Sequence, residues 1–201
     1  MAWIYLLVGY LSGSIPTGVW YSKSQHNIDV RQLGSHNSGT TNVGRNFGKK
    51  AAIIVAAVDV LKGWIPVLVT RWLLSPSDPI VLGVALAAVI GHAYPVFAGF
   101  RGGKVVATSI GVLLGFNFFY GLTSALLLLL FLFLTSTVSL SAMASYTLTC
   151  VLMLLLTKNY SAGVTFILIA LFMIYRHRDN IKRLINHTER RINFGLNPPK
   201  K

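Results

Sequence analysis

A chain of 201 residues that is 54% hydrophobic and 11% charged, with a mean hydropathy of +0.63, has the composition of an integral membrane protein and leaves no separate soluble domain. Its net charge of +13 would suggest nucleic acid in a soluble chain, but 15 of its 18 Lys and Arg fall in three segments, 23–50, 101–104 and 176 onward. That clustering is the signature of positive-inside topology, so nucleic acid is excluded as a partner. The single cysteine, Cys150, lies in an apolar run, which excludes a disulfide framework and a cysteine metal cluster; no metal site and no cofactor are expected.

The first predicted span covers residues 3–21. It has no positive residue before its apolar stretch and no small-residue cleavage signal, and is read as a retained span with its N-terminus outside. Gly13, Ser14, Pro16 and Gly18 in its second half predict a kink, serving either close helix packing or the mouth of a site. A polar segment follows over 22–50. Its stretch LGSHNSGTTNVGR, residues 33–45, offers glycine-exposed amides, the hydroxyls of Ser35, Ser38, Thr40 and Thr41, and the guanidinium of Arg45. Such donors suit a phosphate or an acyl-phosphate head, and equally a hydrophilic connector; the spacing is not that of a Walker A loop.

Span two, 51–74, carries Asp59 and Lys62 three residues apart, hence on one helical face. In a membrane they form either a structural ion pair or part of a polar lining. A short link, 75–79, leads to span three, 80–100. The stretch GHAYPVFAGFRGGK, residues 91–104, is a polar hairpin at the membrane boundary: Gly102 and Gly103 let backbone approach a bound group, and Lys104 adds a positive charge there. An anion site and a tight turn with an anchoring lysine both fit. The apolar run beyond Lys104 reaches about residue 134, too long for one crossing, and Gly115 and Asn117 predict a break. This gives spans at 105–116 and 118–134. The remaining spans are 138–156 and 160–175, seven in all, and the parity puts the basic C-terminal tail inside.

In that tail Ile174, Ile181, Leu184, Ile185 and Ile192 recur at helical spacing among basic residues, as in an interfacial amphipathic helix on an anionic leaflet. His177 and Asn180 share one helical face and can orient a hydroxyl or a leaving phosphate. Glu189, twelve positions beyond His177, is too far along a straight helix to touch the same atom and is expected to pair with Arg or Lys.

Three motifs, in order, carry a resemblance that covers essentially the whole chain: GSIPTG at 13–18 continuing through DVRQLGSHNSGTTNVGR at 29–45, GHAYPVFAGFRGGK at 91–104, and HRDNIKRLINHTE at 177–189. The sequence resembles the bacterial acyl-phosphate:glycerol-3-phosphate acyltransferase family, the PlsY type. The resemblance implies one all-α, membrane-embedded acyltransferase domain over 1–201, multi-pass in the bacterial cytoplasmic membrane, with its active site facing the cytoplasm. It implies transfer of a fatty acyl group from acyl phosphate to the sn-1 hydroxyl of glycerol 3-phosphate, the first step of phospholipid synthesis, with those two substrates and the bilayer as partners. Ser35, His177 and Asn180 match catalytic positions; Arg45, Thr41, Asn42, His92, Gly102, Gly103, Lys104 and Glu189 match substrate-binding ones. His36, Val105 and His187 stand where the family usually has Gly, and Thr40 where it usually has Ala. The rival from another class is a transporter of an organic phosphate, using the same basic segments without chemistry.

The charge distribution generates a topology test. In a Cys150→Ser background, cysteines at Lys49, Lys104 and Arg178 should be shielded from an impermeant external thiol reagent, whereas those at Asp78 and Lys158 should react. External labelling at position 178 would overturn the seven-span reading.

Overall fold

A computed structural model describes residues 2–75 and 78–199; the centre of the predicted link 75–79 lies outside the described residues. These residues form nine α-helices and no strand: α1 Ala2–Gly13, α2 Thr17–His26, α3 Thr40–Leu73, α4 Pro79–Ala93, α5 Val106–Phe116, α6 Phe118–Thr135, α7 Val138–Leu156, α8 Tyr160–Arg176 and α9 Arg178–Ile185. The chain divides into two compact units, Met1–Phe118 with α1 to α5 and Phe119–Lys201 with the remainder. Five stretches are long and apolar enough to cross a bilayer: Ala2–His26, Thr40–Leu73, Pro79–Ala98, Phe118–Thr135 and Val138–Leu156. A sixth is added if α8 and α9, bent by 62° at His177, count together. The break predicted at Asn117 is present, since Asn117 caps α5 in extended backbone and α6 starts at Phe118.

The predicted kink in span one is a true interruption of α1 and α2 at residues 14–16. Pro16 brings no N–H, and at the break the Ile15 carbonyl accepts from the Thr17 N–H at 3.0 Å and from Lys62 Nζ at 2.7 Å. The polar segment 22–50 is less of a loop than its composition predicts. A 3-10 turn at Val30–Gln32 is followed by helix from Thr40, so residues 40–45 are the first turns of α3. Gly48, at φ 89° and ψ 175°, then kinks α3, which no residue with a Cβ would do cheaply. The remainder, residues 49–73, is roughly 37 Å of helix and spans the hydrocarbon with some tilt.

Lipid is as apolar as leucine, so helix pairs in a bilayer associate by close packing of small residues. In the first unit α1 packs on α4 and α3 on α5. Gly9 and Gly13, four apart on α1, face Val84 and Ala88, and Gly91 of α4 lies flush with the Tyr10 carbonyl. On α5, Gly111 and Gly115 show the same spacing against Val60 and Trp64. Large apolar side chains point outward instead, Trp3 and Trp72 being 80% and 87% exposed, which suits lipid and its interfaces. In the second unit α7 packs on α8 around Tyr146, Phe166, Met153 and Ile169, all buried.

A Cβ on Gly111 would run into the Val60 carbonyl oxygen, whereas one on Gly83 would meet only the movable Cδ2 of Leu6. Alanine at either site gains about 1 kcal/mol in helix propensity. At position 111 the forced separation of α3 and α5 costs about 1–3 kcal/mol against it. Thermal unfolding in detergent should therefore show Gly111→Ala melting below the native protein and Gly83→Ala at or slightly above it.

Candidate active site

In the first unit, the loop before α3 is built around a buried amide. Asn42, 1% exposed, donates from Nδ2 to the carbonyls of Val30, Leu33 and Asn37, and its Oδ1 accepts from the Ser35 N–H at 3.0 Å and from Asn46 Nδ2. Asn42, expected among the substrate-binding residues, folds residues 30–37 over the start of α3 and thereby places Ser35. Ser35 and Arg45 are exposed, and Thr41 is half-buried in the first turn of α3.

The second fastening of this loop is Arg31, which the sequence reading missed. Its Nε and Nη2 grip the two oxygens of Asp29 at 3.0 and 2.8 Å, while Nη1 donates to the carbonyls of Ala98 and Arg101 at 2.7 and 3.1 Å. Motif one is thus tied to the hairpin of motif two. The hydrogen bond from Arg31 holds the Asp29 carboxyl down at about 2, against the upward push of partial burial, and the same bond raises the guanidinium.

In the hairpin, the Gly102 and Gly103 amides donate to the carbonyls of Ala93 and His92, both at 3.2 Å. These N–H groups, expected to meet an acyl phosphate, are committed within the chain. What the two glycines supply is closeness: a Cβ on Gly102 would collide with the His92 carbonyl oxygen, and one on Gly103 with the His92 ring. His92 is itself 7% exposed, packed beneath the hairpin, and Lys104 is half-buried beyond it. Asp59 and Lys62 form a buried pair, Nζ to Oδ1 2.7 Å, with Thr17 Oγ1 donating to the same oxygen at 2.9 Å. Of the two alternatives, a structural ion pair or part of a polar lining, the geometry shows features of both: partners from the α1–α2 break, and a place in the wall of a small cavity. The cavity beside it, lined by Thr17, Ser38, Asp59, Lys62, His92 and Gly102, is about 10 Å3, room for about one water molecule rather than a substrate.

In the second unit His177, 3% exposed, ends α8 and begins α9. Its Nδ1 lies 2.9 Å from the Met173 carbonyl, which can only accept, so Nδ1 carries a proton and donates it there. The tail helix stops at Ile185, short of the predicted run to Ile192. His187 takes φ 56° and the chain turns back. Glu189 therefore reaches what a straight helix would deny it: Oε1 accepts from Asn180 at 2.6 Å and Ser139 at 2.9 Å, and Oε2 from Arg183 at 2.7 Å. The expected pairing with a basic residue is present, and contact with Asn180 is the correction. Burial alone would raise this carboxyl, but these three donors and the Arg183 charge outweigh it and hold it below its ordinary value. A recess of about 350 Å3 beside it has apolar walls in Leu134, Leu140 and Leu184 and polar ones in His187, Glu189 and Arg191.

His36, Val105 and His187, where the resemblance leads one to expect Gly, adopt φ of 56°, 62° and 56°. All three are left-handed positions, and that is the physical reason for glycine there.

Helices long and apolar enough to cross a bilayer, joined by polar segments, define a polytopic membrane protein. Its family is equally definite: the model described as glycerol-3-phosphate acyltransferase matches residues 3–187, and the chain belongs to that family. It is 44% identical over 207 residues to the glycerol-3-phosphate acyltransferase of Enterococcus faecalis, covering 98% of this chain and 94% of that protein. With the Lactiplantibacillus plantarum protein of the same name it shares 38% identity, covering 96% and 93%. Crystal structures of PlsY (YgiH), an integral membrane glycerol 3-phosphate acyltransferase, in its glycerol 3-phosphate and lysophosphatidic acid forms, each match with a TM-score of 0.89, at 37% and 35% identity. They cover 96% of this chain and 96% and 95% of theirs. The chain is thus an acyltransferase of the PlsY type, and the transporter reading falls.

The depressed Asp29 carboxyl fixes a pH dependence. Its folded value lies below its unfolded value, so the Asp29–Arg31 contribution is complete above about pH 4 and is lost as pH falls from about 4 towards 2. Melting temperatures across that window should fall less steeply for Asp29→Asn than for the native protein. Arg31→Lys should be less stable than the native protein at pH 7, because an ammonium cannot grip both carboxylate oxygens and two carbonyls.

Proposed function

We propose that the chain, acting as one acyltransferase domain, transfers a fatty acyl group from acyl phosphate to the sn-1 hydroxyl of glycerol 3-phosphate on the cytoplasmic side of the bacterial cytoplasmic membrane. The observation that carries this reading is the likeness along 96% of the chain to a structure in a glycerol 3-phosphate form and another in a lysophosphatidic acid form, with all three motifs retained. For topology, α5 counts as a crossing, giving seven spans with the N-terminus outside; positive-inside parity supports that count.

An acyl phosphate is already activated, so the protein has chiefly to position two substrates and stabilise charge. The hydroxyl oxygen attacks the acyl carbonyl carbon, the bond from that carbon to the phosphate oxygen breaks, and the hydroxyl proton leaves with the departing phosphate. The products are lysophosphatidic acid and hydrogen phosphate. Lys104 and Arg45 are assigned to phosphate groups, and Ser35, on its exposed turn, donates to the acyl phosphate. His177 and Asn180 orient the hydroxyl; Glu189 fixes Asn180. Thr41 stands beside Arg45 in the opening turns of α3, whose N-terminal amides favour an anion.

The neighbours of Ser35, His36 and Asn37, supply no recognisable catalytic triad, and the donor is already activated, so attack is direct rather than through an acyl-serine. Purified protein incubated with radiolabelled acyl phosphate and no acceptor should carry no acyl label after denaturation. Adding glycerol 3-phosphate should yield labelled lysophosphatidic acid. A stable label mapping to Ser35 refutes direct attack, and absence of product under conditions that bind glycerol 3-phosphate refutes the activity.

A further inference from the structure

Thr108 lies in the first turn of α5, four residues beyond Lys104, and is fully buried. Nothing in its sequence context marks it, yet its hydroxyl joins two segments that flank the lysine. Oγ1 lies 3.0 Å from the Asp59 backbone carbonyl and 3.0 Å from His92 Nδ1. A hydroxyl has one proton, and the carbonyl can only accept, so Thr108 donates to Asp59 and accepts from His92 Nδ1–H. This fixes both the tautomer and the orientation of the imidazole, with the Asp59 carboxylate 3.9 Å from the same nitrogen favouring the proton there. The opposite edge of the ring, at Nε2, lies against Gly103 so closely that a Cβ on that glycine would overlap it.

Lys104 is therefore held from both sides. Before it, Gly103 is seated on the His92 ring and bonded to the His92 carbonyl. After it, Val105 turns left-handed at φ 62° and leads into α5, whose first turn is fastened to α3 by Thr108. Gly63 of α3 lets the two helices close at this point, a Cβ there lying 2.5 Å from the Thr108 carbonyl oxygen.

We infer that Thr108 is a positioning residue for glycerol 3-phosphate: by orienting His92 beneath Gly103 and anchoring α5 to α3, it sets where the Lys104 ammonium meets the substrate phosphate. This rests on the assignment of Lys104 to that phosphate. Thr108 touches no substrate atom itself. His92, expected among the substrate contacts, becomes part of the same support.

The test is steady-state kinetics on purified full-length protein, varying glycerol 3-phosphate at saturating acyl phosphate. Thr108→Val keeps the shape and removes the hydroxyl. It should raise KM for glycerol 3-phosphate about fivefold, the size of one neutral hydrogen bond, with kcat within about twofold. Thr108→Ser restores the hydroxyl and should return KM to near the native value. Lys104→Ala should raise KM further, and adding Thr108→Val to it should raise KM no more, because the threonine acts through the lysine. If Thr108→Val does not yield monodisperse protein, Thr108→Ala is read by the same criteria. Unchanged KM in the threonine variant beside a raised KM in Lys104→Ala, or additive effects in the double variant, overturns the inference alone. Unchanged KM in Lys104→Ala overturns the phosphate assignment and the inference with it.

Discussion

The first unit depends on one buried constraint: a charge pair placed where water cannot solvate it. Asp59 and Lys62 are 3% and 5% exposed, and an ion in hydrocarbon is costly unless its partners are supplied. Here each is supplied from a place where the backbone needs the same help. Lys62 meets the Ile15 carbonyl at the break, Thr17 meets Asp59 from the first turn after that break, and Ser12 Oγ donates to the Lys62 carbonyl. The interrupted span and the intramembrane ions are thus two costs that offset each other. The same part of α3, through the Asp59 carbonyl, receives Thr108 and so reaches His92 and the hairpin.

The five acidic residues are few enough that each can be followed. Asp29 organises Arg31, Asp59 matches Lys62, Asp78 caps α4 through the Ile80 N–H, Asp179 opens α9 where the helix dipole favours it, and Glu189 gathers Asn180, Arg183 and Ser139. In a chain of charge +13 an acid is a scarce fixed point, and all but Asp59, which lies within α3, sit at or beyond the end of a helix. Scarcity of acids was visible in the sequence and would have pointed to Asp29 and Arg31, which the motif reading passed over.

Glycine carries a second kind of information. The left-handed positions at His36, Val105 and His187 turn the chain at the edge of each motif, and His187 is what sends Glu189 back to Asn180. A β-branched residue in that conformation is strained in isolation, so Val105 is held by what surrounds it: it is 1% exposed between the hairpin and α5.

The sequence by itself determined the helical class, most of the helix ends in the apolar segments, the break at Asn117, the family and the three polar motifs. It could do so because a hydrocarbon environment demands long apolar runs and internally satisfied backbone, and both are one-dimensional signals. Tertiary structure alone decided which polar groups meet one another. Asn42, the Gly102 and Gly103 amides and His92 stand in the motifs as single residues, and the fold joins each by hydrogen bonds to backbone or to a neighbouring side chain. Thr108 and Ser139 look like ordinary small residues of packed helices, and they close the networks behind Lys104 and Asn180. The physical reason is that a side-chain hydrogen bond is settled by which helix lies within 3 Å. In this protein that approach is set by glycines on α1, α3, α4 and α5, whose facing partners no linear pattern names.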